Sequence, residues 1–456
     1  MSKLYIDFSE TCFSDLNTGI QRVVRNIVSR RQRFQEFDFD ETVPIVQLYD
    51  VYYRLNDKGK SPCKFSSALQ YMGATIRNSM DFIYYKFRSR NDSTLSGEGC
   101  SSSQSTKEVS SEDHESGLYW SCIRLLRKIF IVVFRFVQLL DSLYARKYVV
   151  KFEPKDVLFL PDAFWSFYFS VSAIKEAKQS GCIVIPLIYD VIPITHPQFC
   201  SKSFSVEFID KFPDLLLLAD AYLCISDFSR LEVMRVAEDY LGKEFKLPSD
   251  YVYLGCDFAL GTERDHGQEF PYGDFYLMVG SIEPRKNHDY ALDSFHSYWE
   301  GGGESSLVLV GRVGWYCEDT LRKITGSPYY GQKLFWLNDV GDTELLQLYS
   351  SCRALVFSSV VEGFGLPLVE AMMFGKDVFA SDIPVFREVG GDYPFYFNLH
   401  DDTSLSGLLK MNDDGQLVRA SSAPSTLSWD EAVDVLAHKI KRLVDLLGGE
   451  EKVTST

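Results

Sequence analysis

Glu362-Gly363-Phe364-Gly365-Leu366-Pro367-Leu368-Val369-Glu370 sets two carboxylates with seven residues between them around a turn with two glycines. The apolar run Arg353 to Phe357 before it reads as a buried strand and Ser358 to Gly365 as the loop that follows. Pro367 suits the first turn of a helix, where its missing N–H costs nothing. Strand, glycine loop and helix start together make an anion site, because glycine lets the backbone come close to a ligand and the free N–H groups of a helix start favour negative charge. Glu362 and Glu370, as acceptors, would then receive hydroxyls rather than phosphate. About eighty residues upstream, Ile282-Glu283-Pro284-Arg285-Lys286-Asn287 supplies the cations that a diphosphate needs. A diphosphate flanked by hydroxyl acceptors describes a sugar nucleotide.

The chain of 456 residues is too long for one typical core, so two domains are expected. Short apolar runs alternate with helical patterns at Leu4 to Asp7, Thr42 to Leu48, Asp156 to Leu160, Ile183 to Tyr189 and Ala221 to Ile225. The alternation restarts at Phe275 to Val279, Ser306 to Val310, Lys333 to Leu337, Arg353 to Phe357 and Val378 to Ala380. Such alternation means parallel strands with crossover helices, and ligands of such sheets bind at the carboxyl ends of the strands. The polar stretch Gly261 to Gly273 reads as the linker, with Gly19 in a polar turn after the first strand. Ser428-Trp429-Asp430-Glu431 is a capping box that opens the last helix.

Two segments depart from this plan. Ser89 to Gly117 is rich in Ser, Glu, Asp and Gly and has too little apolar surface to offset the entropy of ordering, so disorder is expected. Leu118 to Val150 mixes Ile129-Phe130-Ile131-Val132-Val133-Phe134 with Arg124, Arg127, Lys128, Arg135, Arg146 and Lys147. Such a helix either lies on an anionic membrane surface or packs on its own domain with its basic residues directed outward.

A net charge of −16 argues against a general nucleic-acid binder. Ten scattered cysteines without a CxxC pair, in a chain without a recognisable signal peptide, imply a reduced cytoplasmic compartment. No apolar window reaches the roughly 20 residues of a membrane span. Asp38-Phe39-Asp40 is a DxD, but it lies in an acidic segment before a strand, and the seven histidines have no ligand spacing. Neither GxGxxG nor a P-loop occurs, so no metal and no cofactor is expected.

The E-x7-E element, Gly280 to Asn287 and Gly311-Arg312-Val313-Gly314-Trp315 resemble the retaining nucleotide-sugar glycosyltransferases of family 4, in particular bacterial mannosyltransferase-like members. The likeness covers most of Gly255 to Leu446, with looser matches at Thr18-Gly19-Ile20-Gln21-Arg22, Tyr189 to Pro193, Thr195-His196-Pro197 and Ile225 to Ser229. It implies a GT-B fold: an N-terminal acceptor-binding Rossmann-like domain over 1–260, carrying the disordered insertion and helix, and a C-terminal nucleotide-sugar domain over 274–428 facing it across a cleft. A helix over 429–450 would cross back to the first domain.

By the same resemblance Arg285 and Lys286 neutralise the diphosphate, Glu370 holds the ribose and Glu362 the transferred sugar, with backbone groups of Phe364, Gly365 and Leu366 at the phosphates. Arg312 and Val340 lie beside the nucleoside, and Gly19 belongs to the loop that closes over donor and acceptor. Asp190 and His196 stand on the acceptor side, where many members carry His-Asp and this chain has Tyr189-Asp190. The implied reaction is front-face transfer of a hexose, mannose from GDP-mannose, to a growing polysaccharide or lipid-linked oligosaccharide of O-antigen, capsule or exopolysaccharide type. Another donor sugar (rhamnose, fucose, glucose), an epimerase or phosphorylase on the same fold, or a non-catalytic membrane-associated partner are the alternatives. The partners implied are the nucleotide-sugar donor, the carbohydrate or lipid-linked acceptor and, through 118–150, the inner face of the membrane; nucleic acid is not among them.

Overall fold

The computed structural model describes residues 2–14, 18–48, 50–55, 60–61, 145–166, 169–256, 270–419, 421–422 and 426–450. The expected disordered insertion, most of the basic apolar helix and the linker residues 261–269 lie outside them. Two sheets organise the rest.

The first sheet has seven strands in the order β3-β2-β1-β4-β5-β6-β7. These are β1 (Ser2–Asp7), β2 (Phe39–Leu48), β3 (Val51–Arg54), β4 (Val157–Leu160), β5 (Ile183–Ile188), β6 (Tyr222–Cys224) and β7 (Ser249–Tyr251). Only β3 runs antiparallel, paired with β2 from Leu48↔Val51 to Ile45↔Arg54. The second sheet is wholly parallel, β10-β9-β8-β11-β12-β13, built from β8 (Phe275–Val279), β9 (Ser306–Val310), β10 (Leu334–Leu337), β11 (Ala354–Phe357), β12 (Asp377–Ser381) and β13 (Phe395–Phe397). Helices cover both faces, which is why the central strands are near-continuous apolar runs: Leu307, Val308, Leu309, Leu355 and Val356 are all fully buried. In both sheets the strand order reverses between the first strand and the fourth, at β1/β4 and at β8/β11. Those reversals are where a crevice opens at the carboxyl ends of doubly wound sheets.

The three strands that the apolar runs do not mark, β3, β7 and β13, sit at or next to sheet edges and are three or four residues long. The end of the basic segment that is described joins the first sheet: Ala145 is buried with Val46, Leu48 and Tyr53, and Val150 N–H donates to Tyr52 O at 2.9 Å. Gly19, expected in a turn, is instead the first residue of the helix Gly19–Ser29, whose Val23, Val24, Ile27 and Val28 repeat at helical spacing and are buried. The preference of Gly19 for a loop is overridden by that apolar stripe. No helix among the described residues is long and apolar enough to cross a membrane. The seven described cysteines are free thiols.

The last helix, Trp429–Glu450, opens with the capping box: Glu431 N–H donates to Ser428 Oγ at 3.2 Å and Ser428 N–H to the Glu431 carboxylate at 2.8 Å. Trp429, Val433, Leu436, Ile440 and Leu443 form a buried stripe along it, each large side chain contributing about 2 kcal/mol. The polar edge of the helix pairs with the first sheet's elements, Arg30 with Asp430 (2.6 Å), Arg33 with Asp434 and Lys439 with Asp250 (2.7 Å). The chain passes its start so closely that a Cβ on Gly255 would fall 2.5 Å from Trp429 Cα, while Cys256 N–H donates to Leu427 O at 2.9 Å. Backbone cannot yield as a side-chain tip can. Gly255→Ala is therefore expected to lower the unfolding free energy by about 1–3 kcal/mol, the scale of overpacking. Urea denaturation reads this directly; an unchanged midpoint would show that the crossing relaxes freely.

Candidate active site

The loops that leave β8 and β11, adjacent strands at the reversal, carry the charged motifs and are sewn to each other. Val360 N–H donates to Arg285 O at 2.9 Å, and Ser358 Oγ donates to Lys286 O (2.9 Å) and Asn287 O (3.0 Å). Pro284–Lys286 is a single 3-10 turn, ended by Asn287 in the left-handed region at φ 54°. This turn directs Arg285 and Lys286 toward the Glu362 loop.

There the side chains form one buried ion group. Lys286 Nζ donates to Glu362 Oε1 at 2.5 Å, Ser359 Oγ to the same oxygen at 2.8 Å, and Arg285 pairs with Glu362 Oε2 and, at 2.7 Å, with Glu283 Oε1. Glu283, Lys286 and Glu362 are each less than a tenth exposed. Burial by itself would raise the Glu362 carboxyl, but Arg285 and Lys286 outweigh it and hold it at about 2. Burial lowers Lys286, partly offset by Glu362. Burial also works against the charge of Arg285, yet Glu362, Glu283 and Asp190 raise its affinity for the proton above the ordinary value. Burial raises Asp190, which closes β5 and receives Ile192 N–H at 3.0 Å, against the pull of Arg285. The two cations expected at a diphosphate are thus matched by carboxylates within the protein. Glu362 Oε1 has both lone pairs occupied, so any hydroxyl it receives comes to Oε2.

Glu370, on the helix Leu366–Met373, is 1% exposed and is held by two donors, Arg22 Nη2 on Oε1 at 2.8 Å and Tyr349 OH on Oε2 at 2.7 Å. Gly365 precedes this helix at φ 107°, a conformation that needs glycine, with Phe386 packed where a Cβ would lie. Gly363 was expected to admit a ligand; the close approach is to the first sheet. A Cβ there would fall 2.6 Å from Tyr189 O, and Gly363 O accepts from Ser226 Oγ (2.7 Å) and Ser229 Oγ (3.0 Å). Beside it, Phe364 is buried against Tyr253, and the space for a Cβ on Gly19 ends 4.0 Å from Leu366 Cδ1.

Other sequence candidates stand farther out. His196 bonds to Thr195 Oγ1 at 2.8 Å and stacks on Phe199, and no direct bond joins it to the ion group among the described residues. Arg312 is exposed and pairs with Asp339 at 3.4 Å, and Val340 is half-buried against the core. Trp315, from the same motif, docks on the first sheet's loop, its Nε1–H donating to Phe199 O at 2.7 Å. Asp40 is exposed within β2 rather than before it, and Asp38 precedes it at φ 64°. Among the described residues no three His, Cys, Asp or Glu side chains are grouped to hold a metal ion.

Sequence reasoning gave no role to Glu283, Ser359, Arg22 or Tyr349. Glu283 lies inside the quoted Ile-Glu-Pro-Arg-Lys motif and Arg22 inside Thr-Gly-Ile-Gln-Arg, so both were in view; Tyr349 lies in an ordinary helix and had no signal. At the end of β1 and just beyond β4, Asp7 and Asp162 are also buried, Asp162 receiving Thr11 N–H at 2.8 Å. Burial and the charge of Asp162 push Asp7 up to about 7.

The ion group makes a direct stability prediction. Because the Glu362 value is depressed from about 4.3, its contribution is complete above that pH and is lost as pH falls toward about 2. Glu362→Gln should cost about 3–5 kcal/mol at pH 7 by taking the carboxylate from the buried Lys286 and the half-buried Arg285, and the gap to the unaltered protein should narrow at pH 3. Urea unfolding at the two pH values tests it, and a gap independent of pH would contradict the assignment.

The glycosyl transferases group 1 model matches residues 262–409. The serotype-specific mannosyltransferase WbdA of Escherichia coli is 30% identical over 240 residues, which are 50% of this chain and 29% of WbdA. The O-antigen chain mannosyltransferase B of Escherichia coli is 27% identical over 271 residues, 57% of this chain and 70% of that protein. Anabaena HepE, solved with UDP and glucose, superposes over the full length of both chains with a TM-score of 0.50 at 13% identity, a likeness of fold. The chain spans less than a third of the WbdA proteins it matches. The two α/β sheets and these likenesses give a GT-B fold whose residues 262–409 match the glycosyl transferases group 1 model, in a chain similar to bacterial mannosyltransferases.

Proposed function

We propose that this protein transfers mannose from GDP-mannose, with retention, to a growing polysaccharide or lipid-linked oligosaccharide at the cytoplasmic side of the cell. The observation that carries the reading is the buried group of Arg285, Lys286 and Glu362 at the reversal of the second sheet. The choice of mannose rests on the relatives, two of them named for O-antigen mannosyl transfer.

Arg285 and Lys286 would receive the diphosphate. In a site screened from water, their attraction grows as the departing phosphate gains charge, which is what accelerates transfer. Glu362 keeps both cations in place between turnovers and offers Oε2 to a sugar hydroxyl, while Glu370 receives the ribose. Asp190, near Arg285 at the end of β5, would meet the acceptor. The departing phosphate takes the acceptor's proton on the front face, so no protein base is required. The charge a divalent ion would contribute comes from the two cations.

The test is transfer by purified protein from GDP-mannose, UDP-glucose and dTDP-rhamnose, with and without an O-antigen-type mannoside acceptor. Acceptor-dependent release of GDP that survives excess EDTA is expected. Turnover without acceptor would assign an epimerase or hydrolase instead. Arg285→Ala and Lys286→Ala should each lower kcat at least about a hundredfold, the scale of losing one electrostatic stabiliser; near-normal rates in both would remove the site.

A further inference from the structure

Glu370 has a partner from the other side of the molecule. Arg22 belongs to the helix Gly19–Ser29, 348 residues away in sequence, and its Nη2 reaches Glu370 Oε1 at 2.8 Å. Tyr349, from the helix Asp342–Ser351 beside the second sheet, holds the other oxygen at 2.7 Å. A carboxylate with a single donor can turn about its last bond; one held on both oxygens by groups from different elements has its plane fixed. Each oxygen still has a lone pair to offer. Two free lone pairs in one plane are the acceptor set that a vicinal diol, such as the 2′ and 3′ hydroxyls of a ribose, can use.

From this we infer that Arg22 is a positioning residue for the donor: reaching over from the first sheet, it sets the Glu370 carboxylate in the orientation that receives the nucleoside ribose. The inference rests on the donor-site reading above and adds to it a dependence of nucleotide affinity on the apposition of the two sheets. Because Arg22 and Glu370 sit on helices that accompany different sheets, donor binding and sheet apposition are linked, each favouring the other. The side chain of Arg22 remains 31% exposed, so its reach is a matter of placement and not of core packing.

The test is calorimetric binding of GDP and, separately, of inorganic pyrophosphate, to the full chain and to Arg22→Ala, Arg22→Lys, Glu370→Gln and the double variant Arg22→Ala/Glu370→Gln. GDP affinity is expected to fall about tenfold in Arg22→Ala, within the range of ordinary coupling between sites, and to recover in part in Arg22→Lys. Pyrophosphate affinity should stay unchanged, and the double variant should bind GDP no more weakly than Glu370→Gln. A parallel loss of pyrophosphate would show Arg22 on the diphosphate, and additive losses would show it acting apart from Glu370; either overturns the proposal. If Arg22→Ala does not fold, Arg22→Gln and Arg22→Lys carry the same comparison, and GDP affinity equal to the unaltered protein in both overturns it as well. Failure of the unaltered protein to bind any nucleotide diphosphate would remove the donor-site reading and this inference together, an outcome separate from equal binding by protein and variant.

Discussion

Charge taken out of water has to be answered by charge, and the centre of this molecule is arranged around that requirement. Lys286, Glu283 and Glu362 are buried, and Arg285 is half-buried against them, at the junction of the β8 and β11 loops. Removing one member costs more than the pair contributes, because the remaining charge stays buried. The loops are accordingly tied by backbone and serine hydrogen bonds from Val360 and Ser358, and the 3-10 turn holds the two cations on one side. A site so balanced presents its cations to an incoming diphosphate without a large reorganisation.

How much of this could be read beforehand follows from what each feature depends on. Parallel strands buried on two faces are continuous apolar runs, so Phe275 to Val279 and Ser306 to Val310 were legible to the residue. Strands β3, β7 and β13 were not, because edge strands of three or four residues leave no run to find. Motif residues that carry charge were legible as a set, but their partners were not: the spacing of Glu362 and Glu370 suggests two ligands of one sugar nucleotide and gives no sign that Arg285 and Lys286 pair with one and Arg22 and Tyr349 with the other. Pairing across 348 residues depends on how two sheets meet, and no local pattern records it. Gly363 shows the same limit, since a glycine needed for close approach does not say what approaches.

The sheets meet through several kinds of contact. Trp315 Nε1 and Tyr316 OH bond to backbone at Phe199 and Lys202, and Trp315 packs on Phe204 at 5.9 Å. Gly363 O takes two serine hydroxyls, and the last helix pairs with Arg30, Arg33 and Asp250. Apolar, backbone and ionic contacts thus all join elements of the two halves.

One of these contacts concerns how the chain is built. The helix Asp227–Leu241 starts with Ser226, whose Oγ receives Ser229 N–H at 3.0 Å, but the two preceding N–H groups, of Asp227 and Phe228, are received by the Glu388 carboxylate at 2.7 and 2.8 Å. Glu388 belongs to the helix Pro384–Gly390 beside the second sheet. A helix start leaves its first N–H groups without intrahelical partners, and here two of them are answered by a residue about 160 positions later. The first half of the chain therefore emerges during synthesis with the start of one of its helices open to water, and its first turn receives these two acceptors only when the second half has folded against it.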